Sequence, residues 1–280
     1  MRNVNSSNTP SSTQDAKMIM SIAGYLGKQF REIRTLRFGF IGHKIRQFRY
    51  INPLAGLIFT LTKKYYETEG CKFLIPKKLT TIVYRSQFYY DLFEKEERQL
   101  IREFIQADDR VLELGACIGI VSCLTNRRLL HTPEKHVVVE PNPNLVPYIE
   151  KNRQLNNCKF NIERCMIADE MNPSFYVDKQ ITRGSAQQEA DHNIEVKACR
   201  VAELEKRYGE FDVLIMDIQG GEAELLQLEK DALAHFRLVV VEMHPHIIGE
   251  QLVEDCRQLL RGMGFELQKV VATVEAWQRK

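Results

Sequence analysis

Beyond residue 107 the chain alternates short apolar runs with longer amphipathic segments. The runs VLEL, HVVV, VLIM and LVVVE are almost entirely apolar, which is typical of strands buried on both faces of a sheet. The segments between them carry apolar residues three or four positions apart, which is the spacing of an amphipathic helix. Strands that alternate with helices form parallel sheets. The sequence therefore predicts an α/β fold with a doubly wound, mostly parallel sheet and an antiparallel edge strand.

The region before this domain has a different composition. Residues 1–16 are rich in Ser, Asn and Thr and are expected to form a disordered tail. Residues 17–80 hold thirteen Lys and Arg but only three Asp and Glu, an excess that the net charge of +2 hides. Apolar spacing over residues 18–36 predicts an amphipathic basic helix, and KFLIPKK and LTTIVY predict the short strands of a hairpin. Residues 81–280 then form the main domain.

Three roles are open for the basic extension. It covers the main domain with a solvated face, it contacts an anionic membrane through residues 17–50, or it follows nucleic-acid phosphates. Nucleic acid is disfavoured because the extension has no recognisable motif of base-stacking aromatic residues. The sequence does not predict an oligomeric state.

Cellular location is indicated by what the chain lacks. The N-terminus has no apolar signal-peptide core, and the longest apolar run, INPLAGLIFTL, is too short to span a bilayer. Seven cysteines without a C-x-x-C pair indicate reduced thiols. We therefore expect a cytoplasmic protein, peripheral at the inner face of the membrane if the basic extension binds lipid.

Ligands of doubly wound sheets bind at the carboxyl ends of the strands, so the first such turn is informative. Gly115 and Gly119 allow a sharp turn and a close approach of the backbone to a ligand. Glu113 lies two residues before Gly115, where a carboxylate would repel a pyrophosphate and attract a cation. S-adenosylmethionine carries an ammonium and a sulfonium group but no phosphate, so it fits this charge better than a dinucleotide. A purely structural turn is the alternative.

The next two strand ends offer contacts for a nucleoside. Glu140 can accept hydrogen bonds from both ribose hydroxyls, although a solvated acid at a strand end is the alternative. Pro141 ends this strand, and Asn142 can cap the following helix. Met166 and Ile167 offer an apolar surface for adenine, which is a weaker signal.

The last two strand ends carry acids and histidines. Asp217 ends the run VLIMD, Glu222 follows at the start of a helix, and Glu242, His244 and His246 end the next strand. Neighbouring acids shift one another's pKa, and an imidazole is a natural base near neutrality, so Asp217, Glu222 and His244 are the candidate catalytic residues. Glu222 alternatively only complements the helix dipole. No tight ligand spacing supports a metal, so none is predicted.

Four segments resemble, in order and spacing, the FkbM family of S-adenosylmethionine-dependent methyltransferases: LELGACIGI, VVVEPNPNLVPYIEKN, VLIMDIQGGEAELL and VVVEMHP. The likeness covers residues 107–246, and its most specific part is Asp217–Glu222, which matches D-x-x-G-x-E. The resemblance implies a Rossmann-like class I methyltransferase fold and S-adenosylmethionine as cofactor. It also implies methyl transfer, typically to a hydroxyl oxygen, on a small-molecule or glycan acceptor such as a sugar or a lipid-linked compound.

The resemblance implies roles for the matching positions. Asp217 would border both cofactor and acceptor, and Ser185 would face the substrate. The residues that would hold the cofactor are Glu113, Gly115, Ala116, Cys117, Gly119, Glu140, Pro141, Asn142 and Met166.

Some positions depart from the family pattern, which leaves other functions open. The family commonly has Asn at Cys117, Lys at Ile215 and Glu at Gln219. A decayed site would make the chain a non-catalytic binding module, associated with a membrane or nucleic acid. A nicotinamide-dependent oxidoreductase of similar fold is disfavoured by Glu113 and by the absence of a G-x-G-x-x-G motif.

Overall fold

A computed structural model describes residues 52–170, 173–177 and 192–279. Ser185 and the basic helix predicted before residue 52 lie outside these residues. The chain divides into two compact units, Met1–Thr62 with Ile82–Tyr90, and Lys63–Thr81 with Asp91–Lys280. The domain boundaries expected after residues 16 and 80 stay predictions.

Two helices form the described part of the smaller unit. Helix α1 spans Pro53–Thr62, and helix α2 spans Ile82–Tyr89. They pack closely at Gly56, where a Cβ atom would lie 1.7 Å from the carbonyl oxygen of Ile82. The prediction of a strand at LTTIVY is therefore wrong, because packing against α1 outweighs the β-propensity of its branched residues.

The larger unit begins with a hairpin. Strand β1 spans Tyr66–Thr68 and pairs antiparallel with β2, Cys71–Phe73. Glu69 and Gly70 join them, both with positive φ, as tight hairpin turns require. Helix α3 spans Lys95–Phe104, as its apolar spacing predicts.

A seven-stranded sheet is the centre of this unit. Its first three strands are β3 (Val111–Leu114), β4 (His136–Val139) and β5 (Asn161–Glu163). Two short pairs follow, β6 (Met166–Ile167) with β9 (Ala198–Cys199), and β7 (Ser174–Val177) with β8 (His192–Glu195). The sheet is completed by β10 (Val213–Met216), β11 (Leu238–Glu242), β12 (Phe265–Val271) and β13 (Val274–Arg279).

Helices connect the parallel strands. They are α4 (Ile120–Asn126), α5 (Val146–Leu155), α6 (Val201–Tyr208), α7 (Glu222–Leu228) and α8 (Pro245–Gly262), the last broken at Gly249. The alternation expected from the sequence is thus present. Within the residues described, no helix combines the length and the apolar character that crossing a membrane requires.

The strand order is β12-β13-β11-β10-β3-β4-β5, with β13 antiparallel to β11. The predicted doubly wound, mostly parallel sheet is confirmed, and its antiparallel edge is the β12–β13 pair. The chain builds outward from β3 through β4 and β5, and then returns to place β10 on the opposite side of β3. The order reverses between β3 and β10, so ligands are expected at the carboxyl ends of these two strands.

The apolar runs reflect burial on both faces of the sheet. Leu112, Leu214 and Val239 pack in the core on one face, and Val111 and Val240 pack in the core on the other. All five side chains are at most 1% exposed, as expected for strands covered by helices on both sides.

Cysteine pairing differs from the expectation of seven reduced thiols. Cys165 and Cys199 form a disulfide across 34 residues of sequence, and the other five cysteines are not disulfide-bonded. The prediction is therefore wrong for this pair. Cys165 lies just before β6 and Cys199 ends β9, so the pairing of these two strands brings them together, and no short motif marks it.

Candidate active site

The turn after β3 is shaped by its two glycines. Gly115 has a φ of +87°, and a Cβ atom there would lie 1.8 Å from the carbonyl oxygen of Asp217. Gly119 has a φ of +78° and precedes α4, and its Cβ would approach the side chain of Ile149 at 3.3 Å. Only glycine permits this geometry at Gly115, so the ends of β3 and β10 can lie side by side.

Glu140 connects this turn to the end of β4. Its two carboxylate oxygens accept hydrogen bonds from the backbone N–H groups of Cys117, at 3.0 Å, and Asn142, at 2.9 Å. Burial raises the pKa of Glu140 to about 7, although these backbone hydrogen bonds act in the opposite direction. Each oxygen keeps a second lone pair, so the carboxylate can still accept two ribose hydroxyls.

Glu113 lines the cavity at the carboxyl end of β3, but both of its oxygens are held by neighbouring side chains. Its side chain is 1% exposed, and its two oxygens accept a hydrogen bond from the hydroxyl of Ser122 and contact Nε2 of His136 at 3.1 Å. The expectation that this carboxylate attracts a cationic cofactor stays a prediction. The period of two in a strand points Glu113 to the same face as Val111, beneath α4.

Five acids line a cavity at the carboxyl ends of β3, β10 and β11. They are Glu94, Glu97, Glu113, Asp217 and Glu242, and Leu114, Gly115 and Ala116 complete the wall beside the glycine turn. None of the described residues that line this cavity is basic. The cavity thus has the acidic character that the sequence led us to expect, and Glu113 is one of the five acids that provide it.

The acids raise one another's pKa. Burial, and then the charge of Glu242, raise the pKa of Asp217 to about 7, although its side chain remains 24% exposed. Burial raises the pKa of Glu97 well above its usual value, and the charge of Glu242 and a hydrogen bond with it act in the same direction. A bound cation would favour the ionised form of each group.

His244 lies between three carboxylates, those of Glu222, Asp217 and Glu242. Its Nδ1 donates to Oε1 of Glu222 at 2.6 Å, and its Nε2 lies 3.4 Å from Oδ1 of Asp217 and 3.8 Å from Oε2 of Glu242. Burial lowers the pKa of His244, but the hydrogen bond to Glu222 and the charge of Asp217 outweigh burial, so the pKa is raised. The three candidate catalytic residues, Asp217, Glu222 and His244, are therefore in contact.

Glu222 does more than begin a helix. It is the first residue of α7, and its Oε1 also accepts the backbone N–H of Gly220 at 2.9 Å. The side chain is fully buried, and its Oε2 has no hydrogen-bond partner among the described residues. Complementing the helix dipole alone does not explain a buried carboxylate that orients an imidazole.

The other candidates lie at the margin of the site. Asn142 accepts the backbone N–H of Asn144 at 3.0 Å, so it closes a turn before α5 instead of capping the helix. Pro141 lies two residues after the end of β4 at Val139. Met166 lies in β6, where its backbone N–H donates to Lys197, and it does not line the acidic cavity.

Sequence reasoning missed Glu94 and Glu97. One signal was present for Glu97, which occupies the apolar face of α3 between Phe93 and Ile101. All three side chains are buried. An acid within the apolar face of a helix indicates either a paired charge or a functional group.

The comparison with known proteins decides the family. The profile of the Methyltransferase FkbM domain matches residues 113–267, more than half of the chain. The chain belongs to this family. It is therefore an S-adenosylmethionine-dependent methyltransferase of Rossmann-like fold, and S-adenosylmethionine is its cofactor.

Solved structures resemble this FkbM-family chain distantly. A precorrin-6y C5,15-methyltransferase from Geobacter metallireducens GS-15 is 11% identical, with a TM-score of 0.44, over 74% of this chain and 93% of that one. An O-methyltransferase from Bacillus cereus in complex with SAH is 11% identical, with a TM-score of 0.42, over 66% and 81%. A protein of the NADB-Rossmann superfamily from Streptococcus agalactiae is 12% identical, with a TM-score of 0.42, over 66% and 68%. No curated protein matches the chain.

The site fits the family's cofactor in its chemistry. Acids and no basic residue line the described cavity, which suits a ligand with an ammonium and a sulfonium group. Glu140, on the other side of the glycine turn, has lone pairs available for a ribose. A dinucleotide would place a pyrophosphate beside Asp217, where the two charges would repel.

Proposed function

We propose that the chain is an O-methyltransferase that acts on a hydroxyl group of a sugar, a glycan or a lipid-linked small molecule. The observation that carries this proposal is the contact of Asp217, Glu222 and His244 at the carboxyl ends of β10 and β11. A hydroxyl oxygen beside Asp217 and His244 would meet two groups that can take up its proton. The same place lies next to the glycine turn, where the cofactor is expected.

The cofactor is held by residues on both sides of this turn. We assign the ribose hydroxyls to Glu140 and the amino-acid end to the backbone of Leu114–Ala116 and to Asp217. Met166 lies beside the adenine in this proposal. S-adenosylmethionine supplies an activated methyl group on a sulfonium, so the protein needs no strong nucleophile of its own.

The one cysteine in the turn supports direct transfer to the acceptor. Burial raises the pKa of the Cys117 thiol well above its usual value, and the charge of Glu94 raises that pKa further. A protonated thiol is a poor nucleophile, so Cys117 does not carry the methyl group between donor and acceptor.

Catalysis then depends mainly on orientation and exclusion of water. Holding two reactants in line replaces a bimolecular encounter, which can lower the barrier by about 7–11 kcal/mol. Proton removal by Asp217 or His244 is a smaller, second contribution. Glu222 orients His244 by accepting from Nδ1, which directs Nε2 toward Asp217 and the acceptor oxygen.

The test is transfer of a labelled methyl group. Purified protein is incubated with S-adenosylmethionine deuterated in its methyl group and with extracts of glycans, lipids and sugars. Mass spectrometry finds the labelled product, and NMR identifies the atom that carries the label. The proposal expects an O–CD3 group and its loss in Asp217→Asn, with Asp231→Asn as the matched control. Label on nitrogen or carbon would contradict the assignment to oxygen.

A further inference from the structure

Asp217, Glu242 and His244 form a group that the proposed function uses only in part. One ligand atom from each lies within 4.8 Å of the other two. Asp217 follows β10 and Glu242 ends β11, so two adjacent strands fix the positions of the three side chains. Two carboxylates and one imidazole are a common set of ligands for a divalent cation.

Contacts of His244 add an independent observation. A histidine that binds a metal through one nitrogen almost always donates its other N–H to a carboxylate or carbonyl group, which fixes the tautomer and increases ligand basicity. Nδ1 of His244 donates to Oε1 of Glu222 at 2.6 Å, so Nε2 is the atom directed at Asp217 and Glu242. Glu222 therefore has the position of the carboxylate that accepts the second N–H group of a metal-binding histidine.

Buried carboxylate oxygens without a hydrogen-bond partner lie beside this group. Among the described residues, Oε2 of the fully buried Glu222 and Oε2 of Glu94 have no hydrogen-bond partner. No basic residue lines the adjoining cavity, so no described Lys or Arg there balances the acids. A divalent ion bound by Asp217, Glu242 and His244 would add positive charge beside these carboxylates and stabilise them.

We propose that Asp217, Glu242 and Nε2 of His244 bind one divalent cation, and that Mn²⁺ suits this set best. Carboxylates favour hard cations and imidazole favours the first-row transition metals, and Mn²⁺ accepts both. Three protein ligands leave coordination positions for the acceptor. The role of the ion rests on the proposed function: it binds the acceptor oxygen and lowers the pKa of that hydroxyl. In this form Asp217 and His244 hold the ion and neither is the base: the oxygen–methyl bond forms as the sulfur–methyl bond breaks, S-adenosylhomocysteine leaves, and the hydroxyl proton passes to water.

Manganese binding tests the site without any methyl transfer. The full chain is freed of metal with a chelator and titrated with MnCl2 at one pH, followed by EPR and calorimetry. We expect one saturable ion per chain, with nitrogen modulation of the Mn²⁺ spin echo from the imidazole. Absence of saturable binding, or binding without the nitrogen signal, would overturn the proposal even if no variant folds.

Variants identify the ligands. We expect Glu242→Gln and His244→Gln each to weaken Mn²⁺ binding by at least about tenfold. The control His246→Gln changes an exposed histidine whose ring centroid is 5.7 Å from that of His244, and it should bind as the wild type does. Equal affinity in all three variants would overturn the ligand assignment. Methyl transfer at full rate with a chelator present would overturn the ion's role and leave the proposed function intact.

Discussion

Replacing Glu140 by Gln tests how the turn after β3 and the end of β4 hold the ribose. Both oxygens of Glu140 accept a backbone N–H, from Cys117 and from Asn142. A Gln side chain has only one acceptor oxygen, so its NH2 group must face one of these donors and cannot accept the ribose hydroxyl on that side. The loss of a hydrogen bond to a charged group costs about 1.5–3 kcal/mol. Cofactor affinity should therefore fall about ten- to a hundredfold.

The pH dependence gives the same prediction a second, independent part. The pKa of Glu140 is about 7, and hydrogen bonds from ribose would lower it, so binding requires the ionised form. Wild-type affinity should thus fall about tenfold per pH unit below 7 through this group. Asp217, whose pKa is also about 7, adds its own dependence. In Glu140→Gln, the plot of log affinity against pH should lose the part of its slope that comes from Glu140 and keep the part that comes from Asp217.

Calorimetry with S-adenosylhomocysteine at pH 6, 7 and 8 measures both effects. The matched control is Glu134→Gln, since Glu134 is exposed and pairs only with the exposed Lys159 among its described contacts. That variant should bind as the wild type does. If Glu140→Gln kept wild-type affinity and the wild-type pH slope, the assignment of Glu140 to the ribose would be refuted.

Further predictions concern stability, charge and location. Gly115→Ala should destabilise the fold by more than about 3 kcal/mol, because its Cβ would meet a carbonyl oxygen at 1.8 Å. Gly70→Ala, with positive φ but only an ordinary contact with the Arg127 side chain at 3.7 Å, should cost about 1 kcal/mol in urea unfolding. Glu113→Gln should cost about 1–3 kcal/mol and leave cofactor affinity of the folded protein unchanged, which calorimetry checks. The raised pKa of Glu97 makes the wild type lose stability as pH rises above about 4.5, so Glu97→Gln should be more stable at pH 8 and flatten the profile between pH 5 and 8 in urea titrations. If residues 17–50 contact anionic lipid, the full chain should sediment with phosphatidylserine vesicles at low salt and be released at high salt, and salt-independent binding would contradict this.

The sheet could be predicted from the sequence, but the partners that hold one side chain near the end of β3 could not. Unbroken apolar runs report burial on both faces, so the parallel strands and their order along the chain followed directly. Glu113 precedes the glycine turn, but its place in the sequence locates only its Cα atom. The alternation of strand side chains puts it with Val111, under α4, where Ser122 and His136 satisfy it.

Long-range packing set the rest of the site. Glu94 and Glu97 reach the cavity from α3, which precedes β3, and local sequence spacing does not report which end of the sheet a helix covers. The contact of His244 with Glu222 depends on the adjacency of β10 and β11, which is a property of the strand order. The same strand order places the segments VLIMDIQGGEAELL and VVVEMHP, which both resemble the family pattern, side by side.

The most direct test is a crystal structure of the chain with S-adenosylhomocysteine. The account predicts the ribose hydroxyls on Glu140 and the amino-acid end beside Leu114–Ala116 and Asp217, with the sulfur directed toward His244. A nucleoside bound elsewhere, or one that leaves the carboxylate of Glu140 without a ribose contact, would contradict it.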